Sequence, residues 1–261
     1  MHDMKTLTVI KIGGNIVDRQ DELDLFLEKF TNIDGPKVLI HGGGVMATEL
    51  SAKLGIATHM YQGRRITDLE TLKLVSMVYA GWINKSIVAK LQKMGCNAVG
   101  LSGADGDSVP AVRRSPVPVD FGYVGDVDPA KINIGFMQSL LGRGITPVFC
   151  AITHDREGSL LNTNADTMAS SLAIALSGDY YSRLIYCFEK EGVLSDSTDE
   201  DSVIPLVTRE SYYVLRNSGV VKDGMIPKMD NAFYAMENGV NEVFIKHASN
   251  LNNNKGTLLK L

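Results

Sequence analysis

Two glycine-rich segments carry the residues of this sequence that are best suited to chemistry. Gly13 and Gly14 follow an apolar run from Leu7 to Ile12, and His41-Gly42-Gly43-Gly44 follows a second apolar run. A helical pattern begins soon after each segment, so backbone N–H groups of the turns lie at helix N-termini, where they attract phosphate oxygens. Glycine suits such turns because a side chain would keep the anion away. The two segments therefore predict phosphate binding.

These turns have three possible interpretations, and Lys11 helps to choose among them. Gly42-x-Gly44-x-x-Ala47 also fits the loose fingerprint of nicotinamide dinucleotide binding, and strand-to-helix turns without any ligand are a further possibility. Lys11 places a cation at the end of an apolar strand, which phosphoryl transfer needs and a dinucleotide turn does not. A lysine that extends from a strand end toward water is the structural alternative. The sequence has neither a P-loop nor a protein-kinase catalytic loop, so another kinase architecture is required.

The elements that position these turns alternate along the chain. Short apolar runs predict buried strands at Leu7 to Ile12, Val38 to Ile40, Ala98 to Leu101, Thr146 to Ala151, Leu184 to Phe188 and Glu242 to Ile245. Strands of this kind are typical of a largely parallel sheet, because helices cover both of its faces. The sequence therefore predicts an α/β fold, a three-layer αβα sandwich with a largely parallel central sheet.

Helical spacing and turn residues fill the intervals between these strands. Helices are predicted at Val45 to Leu54, from a capping box at Thr67 and Glu70 to Met94, at Ala165 to Leu176 and at Pro227 to Asn238. Prolines and glycines break the stretch 109–127 into turn and hairpin material. We expect that stretch to form a flap that shapes the substrate site.

The composition limits the classes of partner. The chain has 261 residues, a formal net charge of -4 and 44% hydrophobic residues, which predicts a compact unit and a small-molecule substrate, with no nucleic-acid partner. No apolar stretch approaches the roughly 18 residues of a membrane span, and no signal segment precedes the strand at Leu7. Cys96, Cys150 and Cys187 are odd in number and far apart, which fits neither disulfides nor a zinc cluster. We therefore expect a cytoplasmic protein.

Five motifs in one order resemble a known family. They are Lys11-x-Gly-Gly, His41-Gly-Gly-Gly, Gly63-x-Arg65-x-Thr67, Asn162-x-Asn164-Ala-Asp166 and Asp223-Gly-Met-x-x-Lys228. Together they resemble the acetylglutamate kinases of the amino-acid kinase family. The resemblance implies a homodimeric enzyme of arginine biosynthesis that phosphorylates the γ-carboxylate of N-acetyl-L-glutamate with ATP, whose phosphates carry Mg²⁺. It also implies an N-terminal lobe, 1–177, for amino-acid binding and dimerisation, and a C-terminal lobe, 178–261, for the nucleotide.

The resemblance implies roles for single residues as well. Catalysis is assigned to Lys11, Lys228, Asp166, Gly14, Gly42 and Gly43, substrate binding to Gly42, Gly43, Arg65 and Asn162, and nucleotide binding to Lys11, Gly13, Gly14 and Lys228. In this scheme the lysines neutralise the transferring phosphoryl group and Asp166 holds both of them. A γ-carboxylate with a pKa of about 4.3 is ionised at neutral pH and needs no general base. Positioning and charge stabilisation then supply the catalysis.

Several of these residues also have structural explanations. Arg65 pairs with Asp68 or Glu70 in a surface salt bridge on one interpretation. Asn164 suits a helix N-cap, and His41 suits a brace for its turn. The histidines show no ligand spacing, so we expect no metal held by the protein itself.

Three features depart from the family pattern. Arg64 replaces the usual leucine beside Arg65, the flap contains Arg113-Arg114, and Glu189-Lys190-Glu191 replaces an Asp-Val stretch. The added positive charge motivates an alternative substrate whose acyl group has its own carboxylate, N-succinyl-L-glutamate. A nicotinamide-dependent dehydrogenase and a non-catalytic ligand sensor are alternatives from other classes. Lys11 lies close to the start of the chain, so we expect a dimer without the N-terminal helix of arginine-inhibited relatives.

Overall fold

The computed structural model describes residues 4–61, 63–222 and 224–261. Its strands are β1 Thr6–Ile12, β2 Lys37–His41, β3 His59–Tyr61, β4 Arg64–Ile66, β5 Ala98–Leu101, β6 Ala111–Arg113, β7 Gly125–Val127, β8 Thr146–Cys150, β9 Ile152–His154, β10 Leu160–Asn162, β11 Tyr181–Phe188, β12 Leu206–Thr208, β13 Glu242–His247 and β14 Thr257–Lys260. Its helices are α1 Gly14–Asp18, α2 Gln20–Thr31, α3 Gly44–Lys53, α4 Leu69–Ser76, α5 Asn84–Lys93, α6 Ile134–Gly142, α7 Ala165–Leu176, α8 Arg209–Asn217 and α9 Met225–Glu237. A π-helical segment, Met77–Ile83, joins α4 to α5.

Eight strands form one sheet in the order β12-β14-β13-β11-β1-β2-β8-β5. Neighbouring strands are parallel throughout this sheet except for β13 and β14, which are antiparallel. Each predicted strand is present in it, with bounds that differ from the prediction by a few residues at most. The predicted α/β fold with a largely parallel sheet is confirmed.

Helices cover both faces of the sheet. Leu7 and Val9 of β1 are buried in the cluster that includes α7 and α9, whereas Ile10 and Ile12 are buried in the cluster that includes α2, α3 and α5. Alternate residues of a strand point to opposite faces. Lys11 therefore shares its face with Leu7 and Val9, and its side chain points toward the layer that contains α7 and α9.

The predicted helices are present, but the predicted start of the long helix is wrong. Its N-cap is Asp68, whose carboxylate accepts a hydrogen bond of 2.8 Å from the N–H of Thr71. Thr67 is instead buried, and its N–H donates to the carbonyl of Phe121 at 2.9 Å. Glu70 pairs with Lys73 and not with a cap residue. Asp68 is the cap because the backbone N–H and C=O of Thr67 are already hydrogen-bonded to the stretch 109–127.

The stretch 109–127 contains the predicted hairpin. Strands β6 and β7 pair in antiparallel fashion, and Tyr123 of this stretch donates its N–H to the carbonyl of Thr67 at 2.7 Å. The carbonyl of Tyr123 accepts a hydrogen bond of 2.8 Å from the N–H of Asn162. The hairpin is thus bonded both to the start of α4 and to β10, so it forms a fixed wall beside the ends of the sheet strands.

The predicted lobe boundary, between 177 and 178, falls in the turn between α7 and β11. Strand β11 pairs directly with β1, so both predicted lobes contribute to the same sheet. Across the described ranges, every helix is too short or too polar to cross a membrane.

Candidate active site

The carboxyl ends of four neighbouring strands meet at one edge of the sheet. Gly13 follows β1, the turn 42–44 follows β2, Ala151 follows β8 and Glu189 follows β11. Ligands of open α/β sheets bind in the crevice outside these carboxyl ends. This edge therefore contains both glycine turns that the sequence singled out.

The turn after β2 presents unpaired backbone donors. Within the described chain, the N–H groups of Gly42 and Gly43 donate to no protein acceptor. Gly44 begins α3 and Gly14 begins α1, and the first N–H groups of a helix have no intrahelical partner. A Cβ on Gly43 would lie 2.3 Å from Cδ1 of Ile83, so the turn packs against the π-helical segment too closely for a side chain. These donors suit an anionic ligand.

Gly13 differs from the other predicted phosphate-binding glycines. Its N–H donates to the carbonyl of Cys187 at 2.9 Å, so this donor is already used within the protein. Gly13 also stands at the N-cap position of the five-residue helix α1. This bond ties the turn after β1 to β11, next to Gly14.

Two lysines meet at one carboxylate beside these turns. Lys11 Nζ lies 2.8 Å from Oδ1 of Asp166, and Lys228 Nζ lies 3.2 Å from Oδ2. Lys11 belongs to β1, Asp166 to the first turn of α7 and Lys228 to the first turns of α9, so three separate elements build the cluster. Lys228 Nζ also lies over the rings of Tyr186 and Phe188, at 5.4 and 5.3 Å from their centroids.

The electrostatics of this cluster follow from burial and pairing. Burial acts to raise the pKa of the Asp166 carboxyl, but the charges of Lys11 and Lys228 outweigh burial and hold that pKa well below its usual range. Burial lowers the pKa of Lys228, an effect that Asp166 opposes and the charge of Lys11 reinforces. The cluster therefore has one carboxylate for two cations, which leaves positive charge to meet an anion.

Arg65 is the second cationic feature of this edge. The residue is only 9% exposed, and its Nη2 donates to Thr48 Oγ1 at 2.7 Å and to the Gly44 carbonyl at 3.1 Å. Among the described residues no carboxylate lies within 4.0 Å of it, so the alternative of a surface salt bridge with Asp68 or Glu70 is wrong. A buried guanidinium that contacts only neutral oxygens is suited to bind a carboxylate.

Asn162 lies across the same cavity. Its Nδ2 donates to Oγ1 of Thr67 at 3.0 Å, and among the described residues its side-chain oxygen accepts no hydrogen bond. The cavity has a volume of about 220 Å³, and Gly42, Gly43, Gly44, Arg65, Asn162 and Tyr79 are among its lining residues. Asn164 is the N-cap of α7 and accepts from the N–H of Thr167 at 3.0 Å, as predicted. The structure thus brings the predicted substrate residues to one cavity.

Tyr79 lines this cavity and was not predicted from the sequence. It lies in the π-helical segment, and its hydroxyl oxygen is 4.0 Å from the position that a Cβ on Gly44 would take. Burial raises the pKa of Tyr79, so the phenol is neutral at physiological pH. Nothing in the local sequence marks a π-helical register, and an aromatic residue at this position looks like an ordinary core residue.

The residues that depart from the family pattern lie at the rim. Arg64 also lines the cavity, and burial together with the charge of Arg114 lowers the pKa of its guanidinium. Arg114 Nε donates to both oxygens of Asp126 at 3.1 Å. Lys190 pairs with Glu200 at 3.7 Å. Asp223, in the last of the sequence motifs, lies outside the described residues.

No group of three or more His, Cys, Asp or Glu side chains in residues 4–61, 63–222 and 224–261 has the arrangement of a metal site. Lysine, arginine and backbone N–H groups at this sheet edge are suited to bind anions, and the carboxylate of Asp166 is already paired with Lys11 and Lys228.

Comparison with known proteins agrees with a phosphoryl-transfer site. The sequence pattern of the Amino acid kinase family matches residues 6–247. The chain therefore belongs to the amino acid kinase family.

Two of its relatives are proteins named acetylglutamate kinase. Those of Phocaeicola vulgatus and Bacteroides thetaiotaomicron are each 50% identical to this chain over 254 residues, which cover 97% of this chain and 98% of theirs. Among solved structures, smu.665 of Streptococcus mutans UA159 is 27% identical with a TM-score of 0.79, covering 97% of this chain and 98% of its own. The family implies the use of ATP.

Proposed function

We propose that this chain catalyses the ATP-dependent phosphorylation of the γ-carboxylate of N-acetyl-L-glutamate. The observation that carries the proposal is the position of the Lys11, Asp166 and Lys228 cluster beside a cavity lined by Arg65, whose guanidinium contacts only neutral oxygens among the described residues. The relatives named acetylglutamate kinase, 50% identical over nearly the full chain, support the same activity. Such an enzyme has a place in arginine biosynthesis.

The cavity side of the site would hold the acceptor. Arg65 would bind the α-carboxylate of the amino acid, and the side-chain oxygen of Asn162 would accept from its amide N–H. The γ-carboxylate would then reach the turn at Gly42 and Gly43, already ionised and able to attack without a general base. Attack of a carboxylate oxygen on the γ-phosphorus forms the acyl phosphate, and ADP leaves.

The lysine side of the site would stabilise the transferring group. Lys11 and Lys228 neutralise charge on the phosphoryl oxygens, and the N–H groups of Gly14, Gly42 and Gly43 donate to them. Asp166 keeps the two ammonium groups close together, which their mutual repulsion would otherwise prevent. Mg²⁺ bound to the ATP phosphates would supply further neutralisation.

The division of labour between lobes is part of this proposal. Arg65 and Asn162 belong to residues 1–177 and would serve the amino acid, whereas Lys228 belongs to residues 178–261 and would serve the nucleotide. Asp166 bonds to lysines from both parts, so it would couple the two halves of the site. The homodimer and the cytoplasmic location stay predictions.

Trapping with hydroxylamine tests the activity. With ATP, Mg²⁺ and N-acetyl-L-glutamate the purified chain is expected to form a hydroxamate, because hydroxylamine attacks the carbonyl carbon of an acyl phosphate. N-acetyl-L-glutamine, which lacks the γ-carboxylate, is the matched control and is expected to give none. If ADP formed without any hydroxamate, the proposal would be wrong.

N-succinyl-L-glutamate is the second candidate acceptor. Arg64 lines the cavity, and among the described residues no carboxylate lies within 4.0 Å of its guanidinium, whereas Arg114 is paired with Asp126. The names of the relatives favour the acetyl compound. The ratio of kcat/KM for the two acyl-glutamates decides between them, and we expect it to favour N-acetyl-L-glutamate.

A further inference from the structure

A chain of hydrogen bonds that is buried at Asn84 and His41 ends on the glycine turn after β2. Lys85 Nζ donates to Oδ1 of Asn84 at 3.2 Å. Nδ2 of Asn84 lies 2.9 Å from the carbonyl oxygen of Val148 and 3.0 Å from Nε2 of His41. Nδ1 of His41 lies 2.8 Å from the carbonyl oxygen of Gly42. His41 and Asn84 are fully buried, so water does not complete these bonds.

The partners at the ends of this chain determine which atoms carry hydrogen. A lysine ammonium only donates, which makes Oδ1 of Asn84 the acceptor, and the Val148 carbonyl only accepts, which makes Nδ2 the donor. Nε2 of His41 must then accept, so the proton of the neutral ring lies on Nδ1 and is donated to Gly42. Burial lowers the pKa of His41 to about 4, which keeps the ring neutral at physiological pH.

This bond sets the direction of the next peptide group. In a trans peptide the C=O and the following N–H point to opposite sides. The Gly42 carbonyl points to His41 in the interior, so the N–H of Gly43 points away from it, toward the open side of the turn. The cavity that contains Arg65 is lined by this turn.

We infer that His41 and Asn84 are positioning residues that hold the N–H of Gly43 toward the transferring phosphoryl group. The inference rests on the proposed function, and neither side chain touches the substrate itself. Close packing supports it, because a Cβ on Gly100 would lie 2.0 Å from Oδ1 of Asn84. Asn84 is therefore confined to the place where it meets His41.

Two substitutions of His41 separate this role from simple core packing. In His41→Asn the side-chain amide takes the position of Nδ1 and can still donate to Gly42. In His41→Gln the amide takes the position of Nε2, so it can pair with Asn84 but not with Gly42. Removal of a donor to developing charge costs about 10²- to 10³-fold in kcat, and a misdirected donor costs less. We expect kcat to stay within about threefold in His41→Asn and to fall about tenfold or more in His41→Gln.

The readouts are kcat, KM and thermal stability of both variants. We expect little change in KM for N-acetyl-L-glutamate, because the amide acts on the transition state. His41→Gln keeps the pair with Asn84, so it is expected to be the more stable variant and the less active one. The opposite order of activity, with Gln above Asn, would overturn the inference.

The ring tautomer can be measured without any substitution. In a ¹⁵N NMR spectrum of the wild-type chain, Nδ1 of His41 is expected to carry the proton and Nε2 to be unprotonated. A proton on Nε2 would overturn the inference whether or not the variants fold. A wild-type chain that formed no hydroxamate would contradict the proposed function. The tautomer would still show whether Nδ1 of His41 donates to the Gly42 carbonyl.

Discussion

The two cationic parts of the site balance their charge in different ways. Lys11 and Lys228 share the carboxylate of Asp166, at 2.8 and 3.2 Å. Arg65 is also buried, but in the described part of the chain its guanidinium contacts neutral oxygens only. One region is a partly neutralised pair of ammonium groups, and the other is a permanent cation with no carboxylate within 4.0 Å among the described residues.

The difference indicates what each region can do. A guanidinium stays charged at all accessible pH values and its planar donors match a carboxylate, so Arg65 is suited to anchor a substrate that keeps its charge. An ammonium group is a compact charge whose pKa responds to burial, and burial lowers the pKa of Lys228. The lysine pair is therefore suited to stabilise the negative charge on the phosphoryl group while that group is transferred. We expect substitutions in the lysine pair to lower kcat and substitutions of Arg65 to raise KM for the amino acid.

The largest effect is expected for Lys228→Met. Loss of this ammonium group removes charge stabilisation of the transferring phosphoryl group, so kcat should fall about a thousandfold while KM for N-acetyl-L-glutamate changes little. Initial-rate kinetics on both substrates measure this, with Lys93→Met, an exposed lysine, as the matched control. If only KM for the amino acid rose, the assignment of the two regions would have to be reversed.

A smaller effect, on KM and not on kcat, is expected for Arg65→Lys. The ammonium group keeps the charge but cannot bond to Thr48, the Gly44 carbonyl and a ligand carboxylate in one plane. A lost charge-assisted hydrogen bond of about 2 kcal/mol corresponds to a roughly 30-fold rise in KM for N-acetyl-L-glutamate. Substrate titrations at saturating ATP measure it. A fall in kcat alone would contradict the role of Arg65 as an anchor.

The smallest effect is a shift in pH dependence. Lys228 must be protonated to act, so kcat should decline on the alkaline side at a pH below the ordinary lysine pKa of 10.5, because the pKa of Lys228 is lowered. Asp166→Asn removes the charge that opposes this lowering, so the alkaline limb should move to lower pH. Profiles of kcat against pH for the wild type, Asp166→Asn and the exposed control Asp21→Asn measure the shift. An alkaline limb that stays in place would contradict the coupling.

Much of the lysine region was predictable from the sequence. Local pattern placed Lys11 near the end of an apolar strand and Asp166 in the first turn of a helix, but the role of Asp166 rested mainly on the family resemblance. That Lys228 joins them was implied only by the resemblance to the family motifs. Local patterns alone gave Arg65 a salt bridge with Asp68 or Glu70, and only the motif indicated its place in the cavity.

Two other features were beyond the reach of sequence patterns. The π-helical segment changes the helical register, so a spacing of 3.6 residues does not show that Tyr79 and Asn84 face the glycine turn. The capping box predicted at Thr67 and Glu70 is wrong. The backbone of Thr67 is hydrogen-bonded to the flap, and Asp68 is the N-cap of α4. The second case depends on contacts between segments that are far apart in the chain.

The central claim is that the γ-carboxylate of the acceptor attacks the γ-phosphorus of ATP beside the lysine pair. Isotope transfer tests this directly, with N-acetyl-L-glutamate labelled with ¹⁸O in the γ-carboxylate, ATP, Mg²⁺ and hydroxylamine. Hydroxylamine displaces phosphate from the acyl carbon, so the released inorganic phosphate should contain one ¹⁸O, visible as a shift of its ³¹P NMR signal. Phosphate without the label would mean that water or another group is the acceptor, and would contradict the account.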